Sequence, residues 1–368
     1  MTEQVLVIGG QGRIGSSVAA DLVNHTQADI IVTGRSDTFK GESISRQFGS
    51  RVRFLQLELA DQGKLKRAIA QSKIVVHCAG PFHYRDTSVL KFCIEQGVNY
   101  VDVSDTRGFT EKALSYHAEA EAAGVTAVVN SGVFPGISNS MVRQGVEQLD
   151  QLEEIRLYYV VSGSGGAGVT VMRTTFLGLL KPFEAWIDGQ WRQVKPYTQR
   201  QKIHLPAPYG TVHTYWYEMP ETFTLVNSFP VKTVVTKFGS VPDFYNHLTW
   251  IAANVFPKSW LQNPNGVEFL SHISYRMTSV TDYFSGKGVG VQSEVIGQNA
   301  GQSRCYRSVL VHPSAAIATG CGTGCIAQFL LSGQLQKPGV WAVEQVLPTN
   351  LFEQAMQSRN ITIQQEWM

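Results

Sequence analysis

The chain begins with a short apolar strand that ends in a glycine-rich turn and continues as a helix. Residues 5–8 are all aliphatic (Val-Leu-Val-Ile), and residues 9–15 follow directly as Gly-Gly-Gln-Gly-Arg-Ile-Gly. A strand, turn and helix in this order aim several backbone N–H groups and the positive end of the helix dipole at one point. This arrangement suits a pyrophosphate, and it constrains the N-terminal part of the chain to a parallel α/β fold.

The glycines of this turn have separate expected roles. We expect Gly10 to allow the tight turn, Gly12 to let the backbone approach the phosphates, and Gly15 to let helix and strand pack closely. The alternative is a plain strand–helix turn that binds nothing. The predicted cofactor-binding residues of the turn are Gly10, Gln11, Gly12, Arg13 and Ile14.

The end of the second predicted strand indicates which dinucleotide is bound. Residues 29–33 form this strand, and Gly34, Arg35 and Ser36 follow it. An acidic residue at this position contacts a free ribose 2′-hydroxyl, whereas a guanidinium can bind a 2′-phosphate. We therefore predict NADP(H), with these three residues at the adenosine ribose. In the alternative, Arg35 is a solvated surface residue and Asp37 takes the acidic role.

Composition and charge exclude several classes of partner. The chain has 368 residues, of which 43% are hydrophobic and 16% charged, and its formal net charge is +2. A balance this close to neutral argues against a dominant electrostatic attraction to nucleic acid or an anionic membrane. The first strand begins near residue 4, which leaves no room for a targeting peptide, so we expect a cytoplasmic protein.

Two further features of the composition have plain structural interpretations. The five cysteines are odd in number and form no metal-ligand pattern, so we expect packing roles and no metal. Residues 313–336 contain no charged residue, but the side chains of the Ala-, Gly- and Ser-rich first half are too small and too weakly apolar for a convincing membrane span. A tightly packed buried helix is expected there instead.

The alternation of strand and helix predicts an α/β protein of two domains. Residues 1–150 are predicted to form an N-terminal Rossmann domain with a doubly wound parallel sheet, completed by residues 313–368. Residues 151–312 are predicted to form a second α+β domain built on a mostly antiparallel sheet. Within it, residues 185–310 are dense in β-branched and aromatic residues punctuated by Pro and Gly. We expect this domain to contain the substrate site and a homodimer interface.

The loops after the strands are the expected ligand-binding positions, because open parallel sheets bind ligands beyond the carboxyl ends of their strands. After the strand at residues 73–78, a thin backbone suits passage of the nicotinamide ribose, and an aromatic ring follows that could border the nicotinamide. Asp61, after the third strand, fits an adenine contact, a helix N-cap, or both. The predicted contacts of the fourth-strand loop are Ala79, Gly80, Pro81 and Phe82.

A nicotinamide cofactor that reduces a polar double bond also needs a proton donor nearby, since a developing anion remains after hydride transfer. His83, Tyr84 and Asp105 are the candidates near the expected nicotinamide. Each has a structural alternative. His83 and Tyr84 could cap the following helix or close a pocket wall, and Asp105 could start a turn.

Several motifs along the chain are informative as a combination. Besides the glycine turn, these are Cys-Ala-Gly-Pro-Phe at 78–82, Asn-Tyr-Val-Asp-Val-Ser at 99–104 and Gly-Val-Phe-Pro-Gly-Ile at 132–137. Together they resemble the saccharopine dehydrogenase-like family, which includes saccharopine reductases and carboxynorspermidine dehydrogenases. The resemblance implies a Rossmann domain, a substrate domain whose sheet often supports dimers, and hydride transfer from NADPH to a C=N bond, or in some relatives a C=C bond.

The chain departs from this family at two motifs. Many relatives follow the strand-five Asp with Thr/Ser-Gly-Glu, whereas this chain has Ser104-Asp105-Thr106. The Pro-Gly turn is often followed by Asp or Glu, whereas Ser138 and Asn139 follow it here. Substrates with several carboxylates and amines need charged partners, so these losses favour another substrate.

Three functions are consistent with these features. The leading one is an NADPH-dependent oxidoreductase that acts on an apolar or aromatic small molecule. The second is an imine reductase of amino-acid or polyamine metabolism, of the saccharopine or carboxynorspermidine type. The third belongs to another class, a sensor or scaffold protein that binds NADP(H) without turnover.

Overall fold

A computed structural model describes residues 3–35, 38–165 and 168–368 of the chain. The strands in this part of the chain are β1 Gln4–Ile8, β2 Asp29–Gly34, β3 Val52–Gln56, β4 Ile74–His77, β5 Asn99–Asp102, β6 Thr126–Val129, β7 Gln151–Ser162, β8 Phe183–Ile187, β9 Gln190–Val194, β10 Gln201–Leu205, β11 Gly210–Trp216, β12 Thr233–Val241, β13 Gly288–Asn299, β14 Gln302–His312, β15 Gly339–Ala342 and β16 Ile363–Trp367.

Helices alternate with these strands, and a short 3₁₀ turn at Phe82–Tyr84 follows β4. The α-helices in the described residues are α1 Arg13–His25, α2 Thr38–Phe48, α3 Gln62–Ala70, α4 Ser88–Gln96, α5 Arg107–Leu114, α6 His117–Ala122, α7 Ile137–Val146, α8 Val169–Leu177, α9 Pro220–Ser228, α10 Phe244–Asn254, α11 Lys258–Gln262, α12 Pro264–Ser285, α13 Ala315–Leu331, α14 Val343–Val346 and α15 Thr349–Ser358.

The chain divides into two compact units. The first unit comprises residues 1–137 and 316–359, and the second comprises residues 138–315 and 360–368. The sequence places the boundaries at 150 and 313 and assigns the whole C-terminus to the first domain. In the structure, the last nine residues lie in the second unit because β16 pairs antiparallel with β14.

The first unit is built on a seven-stranded parallel sheet. Its strand order is β15-β6-β5-β4-β1-β2-β3, and every neighbouring pair is parallel. From the boundary between β1 and β4, successive strands are added toward opposite edges of the sheet. Sheets of this kind bind their ligands at such a boundary. The predicted Rossmann fold with a doubly wound parallel sheet is confirmed.

Apolar strands form the centre of the first unit. All four residues of β4 and all four of β6 are buried, as expected for parallel strands covered on both faces. Helix α1 packs its Val18, Ala19 and Leu22 into this core, and each side chain is fully buried. Gly15 near the start of α1 keeps the helix close to the end of β1, because a Cβ there would overlap the Gly9 carbonyl oxygen.

The small-residue segment after residue 313 forms a buried helix, as predicted. Gly320 of α13 lies so close to α1 that a Cβ there would be 2.7 Å from the Ser17 backbone carbon, and a Cβ at Gly324 would overlap the Asp21 carboxylate. The glycines of α13 therefore permit close packing of two helices. Among the described residues, no helix combines the length and apolar character needed to cross a membrane.

The second unit contains a nine-stranded mixed sheet. Its main path is β10-β11-β12-β7-β13-β14-β16, with β8 and β9 attached beside β12. Pairs are antiparallel except for β12 with β7. This arrangement confirms the predicted second α+β domain on a mostly antiparallel sheet.

Helices occupy more of residues 185–310 than the sequence analysis expects. Helix α12 alone spans 22 residues. Aromatic and β-branched residues there suggested strands, but they lie on helices that cover one sheet face. The local signals for α12 are nevertheless present: the Asn263 side chain accepts a hydrogen bond from the Asn265 N–H at 2.9 Å, and Pro264 occupies the first helical position.

Candidate functional site

The glycine turn between β1 and α1 is closed by backbone hydrogen bonds. The Gly10 N–H donates to the Val7 carbonyl at 3.1 Å, and the Gly12 N–H donates to the Gly9 carbonyl at 2.9 Å. The neighbouring strand β2 holds the turn from the side, because Thr33 accepts from Gly9 through its hydroxyl at 3.1 Å. The turn is therefore a fixed part of the sheet edge.

The positive φ of this turn falls on Gly9, at +78°, and not on Gly10. Gly10 is needed for a different reason than the sequence analysis gives, because a Cβ there would lie 2.7 Å from the Val32 Cβ. At Gly15 a Cβ would overlap the Gly9 carbonyl oxygen, in agreement with its predicted packing role.

Gly12 differs from the other glycines because one side of it is open. A Cβ there would meet only the Gly9 oxygen, at 3.2 Å. Gly12 is the N-cap of α1, no side chain caps the helix, and its first turn contains no acidic residue. A helix start with this composition favours an anion. Arg13 and Ile14 begin the helix at this point, and the Arg13 side chain is exposed.

Gln11 and Gly34 connect the turn to the end of β2. The Gln11 N–H donates to the Thr33 carbonyl at 3.0 Å. A Cβ at Gly34 would overlap the Gln11 side-chain amide, so Gly34 provides the space this amide occupies. Two of the predicted cofactor residues are thus brought together at the tip of β2.

Arg35 is exposed directly beyond β2, where the sequence analysis places the 2′-phosphate contact. Its carbonyl accepts a hydrogen bond from the Gln56 side chain at 3.0 Å, which connects this tip to the end of β3. Asp61 is the N-cap of α3, with its side chain accepting from the Lys64 N–H at 2.9 Å. Ser36 and Asp37 lie outside the described residues.

Arg85 is a candidate cofactor-site residue that the sequence analysis missed. Its Nε donates to the Ala79 carbonyl at 2.7 Å, which holds the loop after β4. Burial lowers the pKa of Arg85, and so does the nearby positive charge of Arg35. Arg85 and Arg35 are thus two positively charged groups that could both contact a phosphate. The only signal in the sequence was its position, six residues after Ala79.

The loop after β4 lies against the glycine turn. A Cβ at Gly9 would be 2.9 Å from the Ala79 Cα, so the two segments are in backbone contact. Gly80 and Pro81 continue this loop, and the Gly80 N–H donates to the Cys78 carbonyl at 3.1 Å. Ala79 and Gly80 give this loop little side-chain bulk, as expected beside the cofactor.

Phe82 is packed into the core of the first unit. Its side chain is 3% exposed, and its ring centroid lies 5.0 Å from that of His77 and 4.9 Å from that of Phe109. This packing fixes the start of the 3₁₀ turn. The expected contact of Phe82 with a nicotinamide ring stays a prediction.

The three candidate proton donors follow neighbouring parallel strands and therefore lie at the same sheet edge. His83 and Tyr84 are exposed in the 3₁₀ turn, with ring centroids 5.3 Å apart in an edge-to-face arrangement. Asp105 is half-buried after β5, and its carboxylate accepts from the Thr106 hydroxyl at 3.4 Å. None of these contacts selects one donor over the others.

Asp102 at the end of β5 is a fully buried carboxyl group that the sequence analysis did not single out as a site residue. Its Oδ1 accepts from the Ser104 N–H at 2.9 Å and from the Asn130 N–H at 3.0 Å. Burial, with a smaller contribution from the charge of Asp105, raises the pKa of Asp102 to about 6 even though these two hydrogen bonds lower it. Its second oxygen has no hydrogen-bond partner within the described residues.

Comparison with known proteins shows what the first unit resembles. Residues 5–128 match the family model described as the saccharopine dehydrogenase NADP binding domain. The "probable mitochondrial saccharopine dehydrogenase-like oxidoreductase" of Arabidopsis thaliana is 26% identical over 133 residues, which are 33% of this chain and 29% of that protein. The chain thus spans less than a third of that relative's length.

Two other comparisons extend over the whole chain. The carboxyaminopropylagmatine dehydrogenase of Synechocystis is 23% identical over 381 aligned residues, covering 93% of each protein. The structure of apo saccharopine dehydrogenase (L-Glu forming) from Saccharomyces cerevisiae superimposes with a TM-score of 0.73 over 100% of both chains, at 15% identity. This structural likeness shows that the two-unit fold is shared.

Proposed function

Because residues 5–128 form an NADP-binding domain of the saccharopine dehydrogenase type, we propose that the protein is an NADPH-dependent oxidoreductase. The observation that carries this proposal is the glycine turn at the strand-order reversal, where Gly12 leaves an open helix start. NADPH when bound would supply a hydride to a C=N or C=C bond, and a protein group would supply the proton, giving the saturated product and NADP⁺.

The chain's own residues are assigned as follows. Residues 10–14 hold the pyrophosphate through backbone N–H groups. Arg35 and Ser36 bind the 2′-phosphate, together with Arg85. Ala79–Pro81 pass beside the nicotinamide ribose, and Asp61 contacts the adenine edge. The proton comes from Asp105, Tyr84 or His83.

The leading substrate is an apolar or aromatic small molecule. The acidic residues that would bind amines are replaced by Ser138 and Asn139 after the Pro-Gly turn, and both are fully buried. The Ser138 hydroxyl donates to Glu221 at 3.1 Å and the Asn139 amide to Thr224 at 3.3 Å, so both side chains are used within the second unit. These contacts support a substrate other than a charged amino acid.

A second candidate is an imine reductase of amino-acid or polyamine metabolism. It is favoured by the relative from Synechocystis, because that similarity covers nearly the whole of both chains. This candidate uses the same cofactor site and differs in the substrate alone.

Turnover assays separate these candidates. Purified protein is mixed with NADPH and either apolar imines and enones or a carbonyl compound with an amine (a keto acid with an amino acid, or an amino-acid aldehyde with agmatine), and NADPH absorbance is followed. We expect oxidation with the apolar panel. Oxidation with only the carbonyl compound and amine establishes the second candidate. Tight NADPH binding without turnover in either panel contradicts an oxidoreductase and favours a sensor or scaffold.

Two further proposals concern the protein's setting. We propose a homodimer formed through the second unit. Light scattering of the purified protein tests this proposal by measuring its mass.

We also propose a cytoplasmic location. Fractionation of cells that express the tagged protein tests this proposal.

A further inference from the structure

The second unit contains a cavity that the proposed cofactor chemistry does not use. Its volume is about 310 Å³, at the lower end of the range for small-molecule sites. One face of the sheet forms its floor through β7 and β12, and helices α8, α10 and α12 form its walls. All of its lining residues belong to the second unit.

The lining of this cavity is apolar and carries no charge. No Asp, Glu, Lys, Arg or His is among the lining residues in the described part of the chain, and aromatic rings such as Phe176 and Phe238 form much of the surface. Several polar side chains in the lining are bound locally: the Thr175 hydroxyl donates to the Val171 carbonyl at 3.0 Å, and Thr249 to Tyr245 at 2.8 Å. A charged substrate would lose its hydration here without gaining a partner.

The glycine-rich turn after β7 closes one end of the cavity around an internal carboxylate. The Ser164 N–H and hydroxyl donate to Asp282 of α12 at 2.7 and 2.6 Å. A Cβ at Gly163 would overlap that carboxylate, and Gly163 has a φ of +56°. Among the described residues of this turn, the N–H and hydroxyl of Ser164 are therefore already used by an internal carboxylate.

The mouth of the cavity is apolar and exposed. Phe244, Ile251 and Ile273 line the cavity and are 55%, 38% and 40% exposed. The apolar surface continues past the mouth, where Phe269 and Val280 of α12 are 56% and 67% exposed. Contiguous exposed apolar surface of this kind is unusual on a protein without a ligand or partner for it.

We propose that this cavity binds a long hydrocarbon chain, such as an acyl chain, as part of the substrate. A chain longer than the cavity continues along the apolar rim, whereas a compact aromatic molecule would leave the rim exposed. This inference rests on the proposed function, since it names the class of molecule that the oxidoreductase acts on.

Binding of cis-parinaric acid, a fatty acid whose fluorescence rises in apolar surroundings, tests the inference without NADPH. Ala252 lines the cavity and is 6% exposed, so Ala252→Phe fills it. Thr175→Phe is a second filling variant on another helix. Thr211→Phe and Ala123→Phe are matched controls, because they introduce the same side chain at exposed positions outside both the lining and the rim.

We expect saturable binding to the wild type, a loss of about tenfold or more in the filling variants, and a change below about twofold in the controls. Circular dichroism and NADPH binding verify that each variant folds. Absence of binding, or an equal loss in controls and filling variants, overturns the inference. Because NADPH binding is measured separately, a protein that binds NADPH but not parinarate loses this inference and keeps the proposed function.

Discussion

At the scale of single residues, the buried carboxyl group of Asp102 makes the most specific prediction. A pKa raised from 3.8 to about 6 means that the folded protein favours the neutral acid. Below about pH 4 the group is neutral in both states and costs nothing. As the pH rises above about 4, Asp102 ionises in the unfolded chain but stays mostly neutral in the folded protein until about pH 6. The free energy of unfolding therefore falls by about 3 kcal/mol in total over this interval.

Asp102→Asn should remove this loss, because an amide oxygen can still accept from Ser104 and Asn130 and the group no longer ionises. We expect the melting temperature of the variant relative to wild type to rise between about pH 4 and about pH 8. Thermal unfolding at a series of pH values measures this difference. A difference that stays constant with pH would show that Asp102 keeps an ordinary pKa.

Residue identities near the cofactor site were only partly predictable. Gly15 and Asp61 have the packing and capping roles that the motif gives them. Arg85 was not predicted, because its relevance depends on the folding of the β4 loop toward β2, and no local pattern encodes that. Similarly, the role of Gly9 depends on its φ of +78° and its contact with Ala79, which only the assembled sheet determines.

At the scale of elements, the turn between β1 and α1 combines structural and ligand-facing glycines. Gly15→Ala should impair both folding and NADPH binding, because the new Cβ overlaps the Gly9 carbonyl oxygen. Gly12→Ala should fold nearly normally, since its nearest atom is 3.2 Å away. The added methyl group should nevertheless obstruct the phosphates and weaken NADPH binding about tenfold.

Thermal unfolding and calorimetric titration with NADPH measure the two effects on the same samples. If Gly12→Ala bound NADPH as tightly as wild type, the pyrophosphate would not lie over this turn. If both variants lost stability equally, the separation of roles would be wrong.

The elements of the first unit were more predictable than those of the second. Buried parallel strands are continuous aliphatic runs, and short turns separate them from helices, so sequence pattern alone locates them. In the second unit, apolar helices cover a sheet, and the residues of α10 resemble strand residues. Their helical state is decided by packing on the sheet face, which local propensity does not contain.

At the scale of the whole molecule, the C-terminal segment completes the first unit. Arg359 at the end of α15 forms a bidentate ion pair with Asp21 of α1, with N–O distances of 2.8 and 2.7 Å and side chains 1% and 4% exposed. A buried pair of this kind is costly to break, since either partner alone would be an unpaired charge. The ion pair therefore fixes the end of α15 against α1 within the first unit.

The proposed NADP(H) site depends on the positive charge of Arg35 at the tip of β2. Titration calorimetry of wild type, Arg35→Glu and the control Arg67→Glu with NADPH and NADH tests it most directly. Arg67 is a matched control because it is also exposed and lies in the last turn of α3. It undergoes the same change of charge.

We predict that wild type and Arg67→Glu bind NADPH more tightly than NADH. Arg35→Glu should lose about 10- to 100-fold in affinity for NADPH and little for NADH, because a charge-assisted bond to the 2′-phosphate becomes a repulsion. Equal losses for both dinucleotides, or equal affinities of the wild type for the two, would contradict the account.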